Sequence, residues 1–171
     1  MKSTGVVRKI DDLGRLVIPK ELRKTLKVNE GDSLEIFVDD SSIILKKYSV
    51  FDDSISISKK LVDSFYKVFK SSVLITDKYK VIASSSNIDG KYYNCELTSS
   101  IKNYINDRIE VCIDHINITT TNSKEDKVFV YPIINNSDII GSIILINVEI
   151  SDNIRNIVHL LGDFLIKNIE E

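Results

Sequence analysis

Val6-Val7-Arg8-Lys9-Ile10-Asp11-Asp12-Leu13-Gly14-Arg15-Leu16-Val17-Ile18-Pro19-Lys20-Glu21-Leu22-Arg23-Lys24-Thr25-Leu26 decides how the first third of the chain is read. Two short β-prone runs, Val6 to Ile10 and Arg15 to Ile18, flank Asp11-Asp12-Leu13-Gly14, where Gly14 supplies the positive φ that a tight turn needs. Pro19 fits the first residue of a helix, because the N–H it lacks would go unpaired there. Leu22 and Leu26, four apart, share one face of the turn or two that follows. Asn29-Glu30-Gly31-Asp32 stops this helix. Leu34, Ile36 and Val38 then alternate with Glu35 and Phe37, Asp39-Asp40-Ser41-Ser42 turns, and Ile43 to Leu45 returns as a second hairpin. Four short strands and a scrap of helix in so few residues cannot offset the cost of ordering their own backbone. With neither metal ligands nor a disulfide in the segment, the expected remedy is a homodimer whose two copies share one β-core.

Charge is segregated along the chain. The 171 residues carry 23 basic and 25 acidic side chains, a net charge of -2. Through Lys27, however, eight basic residues (Lys2, Arg8, Lys9, Arg15, Lys20, Arg23, Lys24 and Lys27) face only Asp11, Asp12 and Glu21. The remainder of the chain is net acidic. A basic head of this kind points at a polyanion, because phosphate contacts release counterions; a solvated basic surface is the other reading, and charge alone does not separate them. The length allows two domains. No apolar run approaches the roughly 18 residues of a membrane span, and Met1 to Gly5 shows no secretory signal, so a soluble cytoplasmic protein without a membrane partner is expected. Cys95 and Cys112, far apart, are expected to be reduced thiols.

Lys2 to Arg23, continued through Gly31-Asp32-Ser33-Leu34-Glu35-Ile36-Phe37-Val38-Asp39 and Ile43-Ile44-Leu45-Lys46-Lys47-Tyr48, resembles the AbrB-type transition-state regulator domain of spore-forming bacteria. The resemblance implies a swapped-hairpin β-barrel formed by a dimer over residues 1–50 that binds double-stranded DNA. It places DNA contacts on Arg8, Arg15, Arg23 and Lys24; Lys9 and Lys20, basic neighbours of these, are expected to help. Arg15 and Arg23 are expected to face solvent. At Lys24 a lysine stands where the family has arginine, which keeps the charge but loses the planar fork, so Lys24 is expected to anchor a phosphate rather than read a base.

From Phe51 the pattern changes, and residues 54–171 read as a second domain of α+β class. Ile57, Leu61, Phe65, Val68 and Phe69 form one helical stripe behind Ser54, Ser56 and Ser58. Val73 to Thr76 and Val81 to Ala83 make a hairpin about Asp77-Lys78-Tyr79-Lys80, Ser84 to Gly90 a loop, and Leu97, Ile101, Tyr104 and Ile105 a modest helix. Val111 to Ile118, Val128 to Ile134 and Ile139 to Val148 are strands, with Thr119 to Asp126 a polar loop. Ser151 and Asp152 cap a last helix striped by Ile154, Ile157, Val158, Leu161, Phe164 and Leu165. Helices flanking an antiparallel sheet in this order resemble a GAF domain, a sensory fold of many regulators. The resemblance implies a small-molecule pocket of unknown ligand, with Ile75, Tyr92, Tyr93, Ile113, Phe129, Tyr131 and Ile133 as candidate walls; plain core is the competing reading of the same residues. The cyclic-nucleotide signature of some GAF domains is absent.

The last-helix stripe is wide, and with the stripe of Ile57, Leu61, Phe65 and Val68 it is expected to form a bundle that pairs head dimers into a homotetramer; a helix serving only its own core is the competing reading. Cys112 with His115, and His159, lack further metal ligands and read as structural. No phosphate loop, nucleophile elbow or zinc-protease motif occurs, so no catalytic residue, enzyme activity, metal or cofactor is expected. Taken together the chain reads as a DNA-binding transcription regulator of sporulation, activating or repressing genes. Two alternatives are an antitoxin, for which the tail is too apolar and periodic, and a metabolite-binding protein whose basic head is incidental.

Overall fold

The computed structural model describes residues 4–26, 28, 30, 32–47, 54–122 and 124–169, which divide into two units, Met1–Tyr48 and Ser49–Glu171. Parts of the expected turn at Asn29 to Asp32, Lys2 and Lys27 of the basic set, and the junction from Tyr48 to Asp53 lie outside the described residues.

In the first unit α1 spans Lys20–Thr25, and β1 (Leu34–Asp39) pairs antiparallel with β2 (Ser42–Lys47), Leu34 opposite Lys47 and Asp39 opposite Ser42. Pro19 stands one position before the helix rather than inside it: its ψ of 147° continues the extended run from Ile18, as the residue capping a helix must. The first hairpin differs more. Its turn forms, with Gly14 N–H donating to the Asp11 carbonyl (3.0 Å), Asp11 N–H to the Arg15 carbonyl (3.1 Å), and Gly14 at φ 75°. Val6 to Ile10 and Arg15 to Ile18, however, join no ladder among the described residues. Val7 is 86% and Val17 72% exposed, so pairing these runs within one chain would bury too little apolar surface to hold them.

In the second unit the elements are α2 (Ile55–Phe69), β3 (Ser72–Thr76), β4 (Val81–Ser84), α3 (Asp89–Tyr92), α4 (Ser99–Asn106), β5 (Val111–Ile116), β6 (Glu125–Asn135), β7 (Asp138–Ile146) and α5 (Asp152–Ile169). The five strands form one antiparallel sheet ordered β4-β3-β7-β6-β5. Both faces are covered. Ile75, Phe129, Ile133, Ile143 and Leu145 meet Val62 and Phe65 of α2 and Val158 and Leu165 of α5, while Leu74, Val128, Val130, Ile144 and Ile146 meet Tyr92, Ile101 and Ile105 of α3 and α4. This explains why β7, central in the sheet, reads as an isoleucine run instead of alternating with polar residues.

Several boundaries move. α3 begins at Asp89, within the stretch expected as loop, because Tyr92 is drawn into the core (0% exposed). β5 ends at Ile116 instead of Ile118, and Thr119 forms a separate bridge with Leu97. On α2 the buried line is Ser58, Val62 and Phe65, at the i, i+4, i+7 spacing of one helix face, whereas Val68 is 70% exposed. α5 starts as expected, the Ile154 N–H donating to Ser151 Oγ at 3.3 Å.

Two contacts fix the layers. Gly162 lets α5 approach β6, for a Cβ there would lie 2.7 Å from Cε1 of Tyr131, a ring already stacked on His159. On the other face Glu125 accepts hydrogen bonds from Lys91 Nζ, the Tyr92 hydroxyl and Asn147 Nδ2. Burial pushes the Glu125 carboxyl up, but the lysine, tyrosine and asparagine outweigh it and hold the pKa below its ordinary value; burial and the same carboxylate push the Tyr92 phenol up.

Gly162→Val is expected to lose about 1–3 kcal/mol by overpacking, whereas Gly90→Ala, with open space around its Cβ, should be neutral or gain up to about 1 kcal/mol of helix propensity; denaturant midpoints compare the two. Glu125→Ala should cost about 1–3 kcal/mol near neutral pH, by leaving the buried Tyr92 hydroxyl without its acceptor. Because the folded pKa is depressed, the carboxylate's contribution is present above the ordinary carboxylate range and lost as pH falls through the lower folded value. The gap between wild type and Glu125→Ala should therefore narrow in acid.

Candidate nucleic-acid interface

The first unit contains no buried residue among those described. Instead, its apolar side chains line an open groove of about 700 Å³, walled by Val6, Leu16, Ile18, Leu22, Leu34 and Leu45 among others, with Arg8 and Lys46 also in the lining. The unit thus has an exposed apolar groove and a set of exposed cations. Arg8, Lys9, Lys20 and Lys24 are exposed. Arg23 is half-buried, which corrects the expectation that it faces solvent. Its Nε is buried without a hydrogen-bond partner among the described residues.

Arg15 is held differently. The Asp11 carboxylate spans the turn, Oδ1 accepting the N–H groups of Leu13 (3.1 Å) and Arg15 (2.7 Å), and Oδ2 accepting Arg15 Nε–H at 2.8 Å. The Arg15 N–H, then the guanidinium, keep the Asp11 pKa below its ordinary value. The Arg15 side chain is nevertheless 70% exposed. Asp11 was not singled out by charge or periodicity; the signal for it is the spacing Asp-x-x-Gly-Arg, in which an aspartate can bond its own backbone two and four residues on.

The candidate pocket of the second unit is not assembled. Ile75, Phe129, Tyr131 and Ile133 belong to the α2/α5 face, and Tyr92 and Ile113 to the opposite face, so the sheet itself separates them. Ile75, Tyr92, Phe129 and Ile133 are core, at most 2% exposed, and Tyr93 is 52% exposed. The oligomerisation set also divides. Phe65, Val158 and Leu165 are buried in their own unit and cannot meet another subunit; Ile57, Leu61, Ile154, Ile157 and Leu161 are half-buried, and Val68 and Phe164 are exposed. Leu160, which the stripe omitted, is 66% exposed.

Cys95 and Cys112 are free thiols. His159 Nε2 lies 2.8 Å from Glu110 Oε2, which also pairs with Arg155, while His115 lies 3.6 Å from Asp126. Among the described residues no group of three or more His, Cys, Asp or Glu is placed to hold a metal, and no helix is long and apolar enough to cross a membrane.

Residues 55–170 match the family described as stage V sporulation protein T C-terminal, transcription factor, and residues 7–52 match antidote-toxin recognition MazE, bacterial antitoxin. Stage V sporulation protein T of Bacillus subtilis (strain 168) is 36% identical over 150 residues, covering 85% of this chain and 84% of that protein. The transition state regulatory protein AbrB of the same organism is 71% identical over 48 residues, 28% of this chain and 50% of that protein. The second unit shares its fold with the GAF domain of an Acinetobacter phosphoenolpyruvate-protein phosphotransferase, at 12% identity and a TM-score of 0.58, with 73% of this chain and 84% of that one covered. An AbrB-like head joined to a GAF-like α+β tail defines a class of bacterial transcription factor. Within that class, the chain belongs to the stage V sporulation protein T family.

Proposed function

We propose that the chain is a DNA-binding transcription regulator of sporulation, cytoplasmic and non-catalytic, that dimerises through residues 1–50 and assembles further through residues 54–171. The observation that carries this reading is the first unit itself. It buries none of its described residues, yet exposes Arg8, Lys9, Arg15, Lys20 and Lys24. Its apolar groove asks for a second copy, whose Val6 to Ile10 and Arg15 to Ile18 runs would supply the missing strands of a swapped-hairpin barrel. Its cations ask for the phosphates of double-stranded DNA. In that arrangement Arg15 and Arg23 read base edges or phosphates, Arg8 contributes from beside the groove, and Lys24, Lys9 and Lys20 anchor the backbone. The antitoxin reading covers only the head, whereas the tail is a folded unit of a transcription-factor family.

The tail fits assembly better than small-molecule sensing, because four of the residues proposed as pocket walls, Ile75, Tyr92, Phe129 and Ile133, are packed core and lie on two faces of one sheet. Leu160 and Phe164 are a helical turn apart on α5 and, with Val68 of α2, remain exposed beside half-buried Ile57, Leu61, Ile157 and Leu161. Pairing such a surface in a helical bundle would join two dimers into a tetramer, setting two heads on one duplex and raising apparent affinity through effective concentration.

Arg15→Ala and Arg23→Ala are each expected to weaken DNA binding by about 1–3 kcal/mol if the lost contact is to a base, measured by fluorescence anisotropy at matched salt. The wild type should lose affinity steeply as salt rises, by roughly 0.9 in log K per log unit of salt for each phosphate neutralised. A flat salt dependence, or unchanged affinity in both variants, would overturn the assignment. Leu161→Glu strikes a residue packed against its own core, so Leu160→Glu is the cleaner probe of assembly. By light scattering it should reduce a tetramer to dimers joined at the heads, and a wild-type dimer at micromolar concentration would rule the tail out as a second interface.

A further inference from the structure

The turn that presents Arg15 also restricts how Arg15 can be used. An arginine meets a pair of acceptors either side-on, through Nε and one Nη, or end-on, through its two Nη groups. Here Nε is engaged by Asp11 Oδ2 at 2.8 Å, while the side chain stays 70% exposed and no hydrogen bond of either Nη is seen among the described residues. The other carboxylate oxygen is fixed by two backbone N–H groups, so the carboxylate cannot swing away from Arg15 without giving up those two bonds. Asp11 and Arg15 therefore form a preset unit in which only the end-on fork is open.

We propose that Asp11 is a positioning residue that sets the sequence preference of the head, holding Arg15 so that its two Nη groups meet O6 and N7 of a guanine in the major groove. This deepens the DNA-binding reading above and rests on it. The end-on fork matches the guanine acceptor pair, which is the commonest specific arginine contact to DNA. A side-on approach, through Nε and one Nη, is blocked by the carboxylate; the end-on fork can also clasp two phosphate oxygens, and selection from randomised duplexes separates that use from a guanine contact. Two further effects act in the same direction. Asp11 carries a negative charge beside the guanidinium, which weakens the attraction of Arg15 for a phosphate. Bracing also reduces the side-chain freedom lost on binding, so the guanine contact is gained at lower entropic cost.

Asparagine separates the brace from the turn. Asp11→Asn keeps one oxygen for the N–H groups of Leu13 and Arg15 but turns an NH2 group, a donor, toward Arg15 Nε. The test uses the full chain and a pool of duplexes with a randomised core, bound fractions being sequenced, followed by anisotropy on a selected guanine-containing duplex and on an alternating dA/dT duplex. The wild type should enrich guanine. In Asp11→Asn the preference for the guanine duplex should fall by about tenfold, while affinity for the dA/dT duplex holds or rises and the thermal midpoint stays put. In an Arg15→Lys background, which keeps charge but has no fork, Asp11→Asn should change the preference no further; this comparison serves equally if the single variant shifts the midpoint. Retained guanine preference in Asp11→Asn, no guanine preference in the wild type, or the same loss in the Arg15→Lys background would each overturn the brace. A wild type that binds neither duplex would instead overturn the DNA-binding reading, and the brace with it.

Discussion

The apolar side chains of the first unit have nowhere to go within one copy of the chain. Val7, Ile10, Leu13 and Val17 are between 66% and 86% exposed, and Val6, Leu16, Ile18, Leu22, Leu34 and Leu45 line a groove rather than a core. Hydrophobic burial is the main favourable term in folding, and a lone hairpin without it is marginal: β1 and β2 pair with most of their apolar side chains still exposed, while the first hairpin has a well-made turn and two unpaired arms. A partner copy would supply burial and ladder together. The position of every proposed DNA contact then depends on that completion, since Arg8 sits on one arm, Arg15 at the turn, and Arg23 and Lys24 on the helix that one arm leads into.

The second unit solves the same problem internally. Its sheet is covered on both faces, and the points of closest approach are set by small or polar residues rather than large ones. Gly162 admits Tyr131, and Glu125 gathers Lys91, Tyr92 and Asn147 at the opposite face. Leu160, Phe164 and Val68 are left over after its own core is complete, which is what an interface made after folding requires.

What could be read in the sequence follows from which interactions are local. The last helix was legible because its cap at Ser151 and its apolar spacing lie within one element, and β7 because a continuous isoleucine run survives only when both faces are buried. The arms Val6 to Ile10 and Arg15 to Ile18 have strand composition but no intrachain partner, so composition alone overstated what one chain forms. The pocket walls failed for another reason. Alternation says that Phe129, Tyr131 and Ile133 share a face, but not that Tyr92 reaches the sheet from the other side. The helical stripes placed α2 and α5 but not their rotation, so Val68 was put where Val62 lies and Leu160 was overlooked. Asp11 was hidden by its exposure: its role is visible only when the turn brings its two oxygens onto three donors.

The Ser54 hydroxyl donates to the Asn168 carbonyl at 3.4 Å, so the second unit begins and ends at one place. Domains whose two ends lie together can be appended to, inserted into or exchanged between other proteins with little disturbance to either host. The AbrB match stops within the first 50 or so residues and spans half of that other regulator, whereas the sporulation-family match starts at residue 55. A head similar to part of AbrB is thus joined here to a tail of another family, and adjacent ends let such a tail be attached with little disturbance to either unit.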